Sequence, residues 1–249
     1  MQHIFSLEGQ TALVTGGATG LGLAMVQCIK EAGGRGIVVS SSPYEKYKDI
    51  IERLGEKVFY EQFDITMTDK TSIFIEELIE KYGKIDILVN NAGGYPSEVY
   101  KNIEHQAIKL WEWSEEQWDQ IIKTNLRIPF LCMSKVLPIM IRQNSGKVVS
   151  VSSRMGRIAS QMGAYAVAKG AIITMTKTAA IQTQEYGIQV NAVSPGIVDT
   201  PGQRVYNHSV GQDDIKMGSA ADVAKAILYL LCDAPQVMTG QSIDLFTTV

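Results

Sequence analysis

A tyrosine and a lysine four residues apart, Tyr165 and Lys169 in YAVAK, stand at the start of a helical pattern. On a helix they lie one turn apart on the same face. A phenol with a pKa near 10 is a poor base at neutral pH. An ammonium a few ångströms away favours the phenolate by Coulomb attraction, and each unit of lowering corresponds to roughly 1.4 kcal/mol. Such a pair can pass a proton to or from an alcohol oxygen while hydride moves to or from a nicotinamide. Ser152 and Ser153, at the end of KVVSVSS, offer a hydroxyl for the same oxygen. Taken alone, the pair better suits an ordinary amphipathic helix with a packed tyrosine and a surface lysine.

Two further clusters change that balance. Thr15 to Gly22 read T-G-x-x-x-G-x-G, between the apolar run TALVT and the helical pattern LGLAMVQCIKEA. Glycines at a strand-to-helix turn let the main chain bend and let a pyrophosphate approach the backbone N–H groups at the positive end of a helix. Asn90-Asn91-Ala92-Gly93 follow the strand-like IDILV, and Asp64 ends VFYEQFD. Both would lie at carboxyl strand ends, where open parallel sheets bind ligands. The amides and the following glycine suit close backbone contact with a ribose or ring, or a simple turn, and Asp64 would accept from an adenine amino group or cap the following turn.

These residues need a scaffold that brings strand ends together. TALVT, GIVVS, VFYEQFD, IDILVNN, KVVSVSS and IQVNAVSP are strand-like, and they alternate with helical patterns at 21–32, 44–54, 69–82, 114–142, 162–186 and 220–232. That alternation predicts an α/β fold, a Rossmann-like doubly wound sheet with helices on both faces. Gly33-Gly34 and Gly187 read as helix stops, and Ser114 with Gln117 as a capping box. With 249 residues and no linker-like stretch, residues 1–249 are expected to form one domain.

A net charge of −3 with dispersed lysines argues against nucleic acid or an anionic membrane as partner. Cys28, Cys132 and Cys232 are odd in number and lie in apolar contexts, as free thiols in a reducing compartment would. His3, His105 and His208 show no ligand spacing, so no metal site is expected. No basic start with an apolar run marks the N-terminus, and no uncharged apolar stretch is long enough to span a bilayer. The expected location is the cytoplasm.

In their order along the chain, TGGATGLG, NNAG, Asn125 in KTNL, the Ser-Tyr-Lys set and VNAVSPGIVDT resemble the short-chain dehydrogenase/reductase family, in its compact single-domain branch. The resemblance covers nearly the whole chain. It implies a mostly parallel seven-stranded sheet and an NAD(P)(H)-dependent oxidoreductase that interconverts a secondary alcohol and a ketone, a small-molecule substrate. It implies Tyr165 as acid/base, Lys169 as the group that lowers its pKa and binds the nicotinamide ribose, and Asn125 as holder of a water in a proton relay. The ungapped strand selects Ser153 as the catalytic serine, because a one-residue shift reverses a strand side chain's face. The family's commoner spacing to the tyrosine would select Ser152. Cofactor contacts are implied at Gly16, Thr19, Gly20, Leu21 and Gly22 in the glycine turn, at Asp64 and Ile65, and at Asn91, Ala92 and Gly93. Pro195, Gly196, Ile197 and Thr200 would lie along the nicotinamide. A homotetramer built on the two long helices is also implied.

The chain departs from the family pattern in several places. At the end of the second strand stand Ser40 and Ser41, with no acid for a free ribose and no adjacent arginine for a 2′-phosphate. The serines and nearby Lys46 tilt the reading to NADP(H). The segment from Gly94 to Trp118 is longer than usual, and its Tyr95, Tyr100, Trp111 and Trp113 suit either a substrate mouth or an oligomer contact. Residues 200–217 read as a short polar loop at the place of the family's substrate-closing loop, and Leu245-Phe246-Thr247 replace the usual glycine pair. An epimerase or dehydratase using the same tyrosine and lysine, or a nucleotide sensor without turnover, remain alternatives.

Overall fold

The computed structural model describes residues 5–94, 108–232 and 234–245. Seven strands form one sheet in the order β3-β2-β1-β4-β5-β6-β7. They are β1 (Thr11–Thr15), β2 (Arg35–Ser40), β3 (Val58–Gln62), β4 (Ile87–Asn90), β5 (Gly146–Val151), β6 (Ile188–Pro195) and β7 (Ser242–Leu245). Every neighbouring pair is parallel. The helices are α1 (Gly20–Glu31), α2 (Lys48–Leu54), α3 (Thr68–Tyr82), α4 (Glu115–Gln143), α5 (Gly163–Thr183), α6 (Pro201–Ser209) and α7 (Ala220–Cys232). In α4 a π turn, Lys123–Arg127, interrupts the α-helical ladder.

The two-residue period of the strands explains why the sheet is covered twice. Ala12 and Val14 of β1, Val38 of β2 and Ile87 and Val89 of β4 pack into one core with α1 and α7. Leu13, Ile37, Val39 and Leu88 pack into the other, with α3, α4 and α5. Consecutive residues thus serve opposite cores, which makes the doubly wound, Rossmann-like single domain. The anticipated helix ends are present. Gly33 and Gly187 adopt positive φ after their helices, and Ser114 Oγ accepts from Gln117 N–H while Gln117 Oε1 accepts from Ser114 N–H.

One reading of the sequence changes. Residues 200–217 are not simply a loop, because Thr200 caps and Pro201 begins α6. Proline suits the first helical turn, and Thr200 Oγ1 accepts from Gln203 N–H at 3.2 Å. Among the described residues the run Glu115–Gln143 is long and apolar enough by composition to cross a membrane. Its apolarity serves the core, since Cys132, Met133, Val136 and Met140 are buried in the α3–α4–α5 layer, and Arg127 and Lys135 interrupt it.

Candidate active site

The strand order turns at β1, with β2 on one side and β4 on the other, so a crevice opens beyond the carboxyl ends of β1 and β4. The glycine turn lies there. Thr19 takes the N-cap position of α1 with an extended backbone and makes no side-chain cap, leaving the helix N-terminus without a side-chain acceptor. Leu21 and Gly22, in the first turn, are buried. The glycines also have a packing role. A Cβ on Gly22 would come to 2.1 Å from Gly16 O, and one on Gly20 to 3.0 Å from the Thr200 side chain.

Asn91 fixes this turn from β4. Its Nδ2 donates to Thr15 O at 3.0 Å and Gly16 O at 3.1 Å, while Thr15 Oγ1 accepts from the backbone N–H groups of Asn91 and Ala92. Its side chain thus clamps two strand ends together. Asp64 Oδ1 accepts from Thr66 N–H and Oγ1 in the turn after β3, and Ile65 is buried in the core. Ser40 Oγ accepts from Ser42 N–H at 3.3 Å, Ser41 is exposed, and Lys46 lies over the Tyr47 ring, 5.3 Å from its centroid.

At the end of β5 the two serines part. Ser152, buried, donates to Lys169 O at 2.6 Å. Ser153, one residue on, lines a cavity of about 240 Å³ with Tyr165, and its hydroxyl hydrogen-bonds the Tyr165 phenol. Geometry therefore groups Ser153 with Tyr165. Pro195, Gly196 and Ile197, where β6 ends, line the same cavity. Ile197 O accepts from Gly218 N–H, and Thr200 Oγ1 is committed to its cap.

Lys169 is only 4% exposed; its Nζ donates to Val151 O at 2.9 Å and lies 5.6 Å from the Tyr165 ring centroid. Burial disfavours its charge and pulls its pKa down to about 8. For Tyr165 the net direction is upward: burial pushes the phenol up from its ordinary value, and the Ser153 hydrogen bond opposes the rise.

Asn125 is fully buried in the π turn, and its side chain is bonded to backbone. Its Oδ1 accepts from Gly94 N–H at 2.8 Å, and its Nδ2 donates to Gly94 O at 2.8 Å and Ile121 O at 3.1 Å. Gly93 leaves the space between open: a Cβ there would lie 2.9 Å from Asn125 Oδ1 and 3.2 Å from Lys169 Nζ. NNAG thus meets KTNL and YAVAK at one point. π turns are rare and frequent at functional sites.

Several cavity residues escape sequence reasoning. Arg154, Met155 and Met162 flank Tyr165, while α6 and the turn after it contribute Gln203, Tyr206, Asn207 and Gln212. The Thr-Pro pair at 200–201 was their available signal. Of the aromatic segment, Tyr95, Tyr100 and His105 lie outside the described residues, as do Phe246 and Thr247. Trp111 is 80% exposed, whereas Trp113 packs with Trp118 and Tyr165 around Ile121 and Ala164. Among the described residues no three His, Cys, Asp or Glu side chains converge as metal ligands.

The model of the short chain dehydrogenase family matches residues 10–210. The chain belongs to that family. It is therefore a short-chain oxidoreductase, as its motifs led us to expect. It is 34% identical over 249 residues to the 3-oxoacyl-[acyl-carrier-protein] reductase FabG of Thermotoga maritima, covering 96% of this chain and 97% of that protein. Among solved structures, ElxO with NADP bound superposes with a TM-score of 0.83 at 27% identity, covering 96% of this chain and 97% of that one. A tyrosine-to-phenylalanine form of ElxO with NADPH bound superposes with a TM-score of 0.83 at 26% identity, with coverage of 96% and 97%.

Proposed function

We propose that residues 1–249 act as one NADP(H)-dependent oxidoreductase domain that interconverts a secondary alcohol and a ketone, with Tyr165 as acid/base. One observation carries this reading: Tyr165 and Ser153 share a cavity at the carboxyl edge of the sheet, with Lys169 Nζ buried beneath them. The residues fit a dinucleotide. Gly93 leaves open a cradle over Asn125 and Lys169 that a Cβ would fill, and the N-terminus of α1 is without a side-chain cap. Gly16 to Gly22 would hold the pyrophosphate, Ser40 and Ser41 the adenosine ribose end, and Pro195 to Ile197 the nicotinamide. The absence of an acid after β2 and the NADP-bound ElxO support the phosphorylated cofactor.

When bound, the nicotinamide supplies or takes the hydride. In reduction, the Tyr165 phenol gives its proton to the carbonyl oxygen. The Ser153 hydroxyl steadies the phenolate left behind, and Lys169 stabilises it at longer range while Val151 O holds its ammonium. Asn125 keeps the backbone of Gly94 against the site and positions rather than reacts. In oxidation the same proton runs back to Tyr165.

The test is Tyr165→Phe, with NADPH and NADH titrated by fluorescence. We expect nucleotide affinity to stay within a few fold and kcat to fall by at least about a hundredfold. Near-normal turnover would refute the acid/base role, and NADPH binding without turnover over a broad carbonyl panel would favour a sensor. Phe130 on α4 and Val167 and Ile181 on α5 are exposed apolar residues that support a homotetramer through these helices, which mass measurement decides. The composition supports a cytoplasmic location, readable by fractionation.

A further inference from the structure

Helix α6 brings two carboxamides to the cavity that holds Tyr165 and Ser153. Gln203 and Asn207, one turn apart, both line it. Asn207 is only 2% exposed. Its Oδ1 accepts from Gln203 Nε2 at 2.8 Å, and among the described residues its Nδ2 donates only to Met217 Sδ, at 3.4 Å. A thioether is a weak acceptor. The buried amide is therefore held by one good partner and one poor one. Gln203 Oε1 has no partner among the described residues. Elsewhere the wall is formed partly by Met155, Met162 and Tyr206, which present apolar surface.

A ligand that closes the cavity removes water from these amides. Against a plain hydrocarbon Gln203 Oε1 would stay unpaired, at a cost on the order of tenfold or more in affinity, whereas a hydroxyl donates to that oxygen and accepts an amide N–H. We propose that Gln203 and Asn207 determine specificity, and that the substrate is a ketone carrying a hydroxyl group on the side facing α6. The inference rests on the oxidoreductase reading of the same cavity.

The experiment uses the Tyr165→Phe protein saturated with NADPH, so that binding is read without turnover. Calorimetry compares a hydroxycyclohexanone with the methylcyclohexanone of the same shape. The expected result is roughly tenfold tighter binding of the hydroxyketone, falling to within about twofold in the added Gln203→Leu and, separately, Asn207→Leu backgrounds. Gln203 is partly exposed, so its variant is informative even where Asn207→Leu fails to fold. Equal or tighter binding of the methylketone, binding of neither, or a preference that survives Gln203→Leu would overturn the proposal. If the preference stands while the wild-type protein oxidises NADPH with neither ketone, the oxidoreductase reading fails instead.

Discussion

Replacing Lys169 by methionine should change how stability depends on pH. In the folded chain burial holds this ammonium at a pKa of about 8, against an ordinary 10.5. Between those values the unfolded chain keeps the proton and the folded chain does not, so stability rises with pH across that window. The full displacement corresponds to about 3 kcal/mol, and about 2 kcal/mol of it falls between roughly pH 7 and pH 9.5. Below pH 8 the wild type carries the whole cost of a buried charge, partly offset by the bond to Val151 O. Methionine has a similar length and no charge. Urea unfolding of both proteins at several pH values, at one protein concentration, isolates the effect, because all other titrating groups are common to both. The wild type should gain about 2 kcal/mol on the variant between roughly pH 7 and pH 9.5. A difference that stays flat, or moves the other way, would refute the burial argument.

The serines should separate by assay. Ser153→Ala removes the hydrogen bond that opposes burial at Tyr165, so the alkaline limb of the kcat profile should move to higher pH; an unmoved limb would exclude that contact. Ser152→Ala removes a buried donor to Lys169 O and should lower stability by about 1–2 kcal/mol with little change in that profile. Gly163→Ala places a Cβ 2.5 Å from Trp113 Nε1 at a φ of +42°, so it should lower stability by about 1–3 kcal/mol and disturb the packing beside Tyr165. Wild-type melting and turnover in that variant would contradict the close approach.

The strands and long helices were legible because burial on both faces writes unbroken apolar runs between strong punctuators. TALVT and IQVNAVSP begin and end where the residue pattern places them. Helix α6 was not legible: PGQRVYNHS is polar and short, and buries little besides Asn207. Within the site, residue type and order marked Tyr165, Lys169, Asn125 and the glycine turn. Their partners could not be read. Whether Asn91 faces a ligand or a carbonyl 75 residues away, and whether a lysine or desolvation governs a phenol, depends on distances that only the folded chain sets.

The Asn91 clamp ties the nucleotide turn to the order in which the chain acquires structure. Thr15 and Asn91 are 76 residues apart, and α1, β2, α2, β3 and α3 lie between them in the chain before β4 docks beside β1. Closing a loop of that length costs entropy before any contact rewards it. On this account a nascent chain that has exposed only β1 and α1 carries every glycine of the turn yet has not fixed its shape. Nucleotide would then select chains in which β4 is seated, and its concentration would shift the balance toward the finished sheet by mass action.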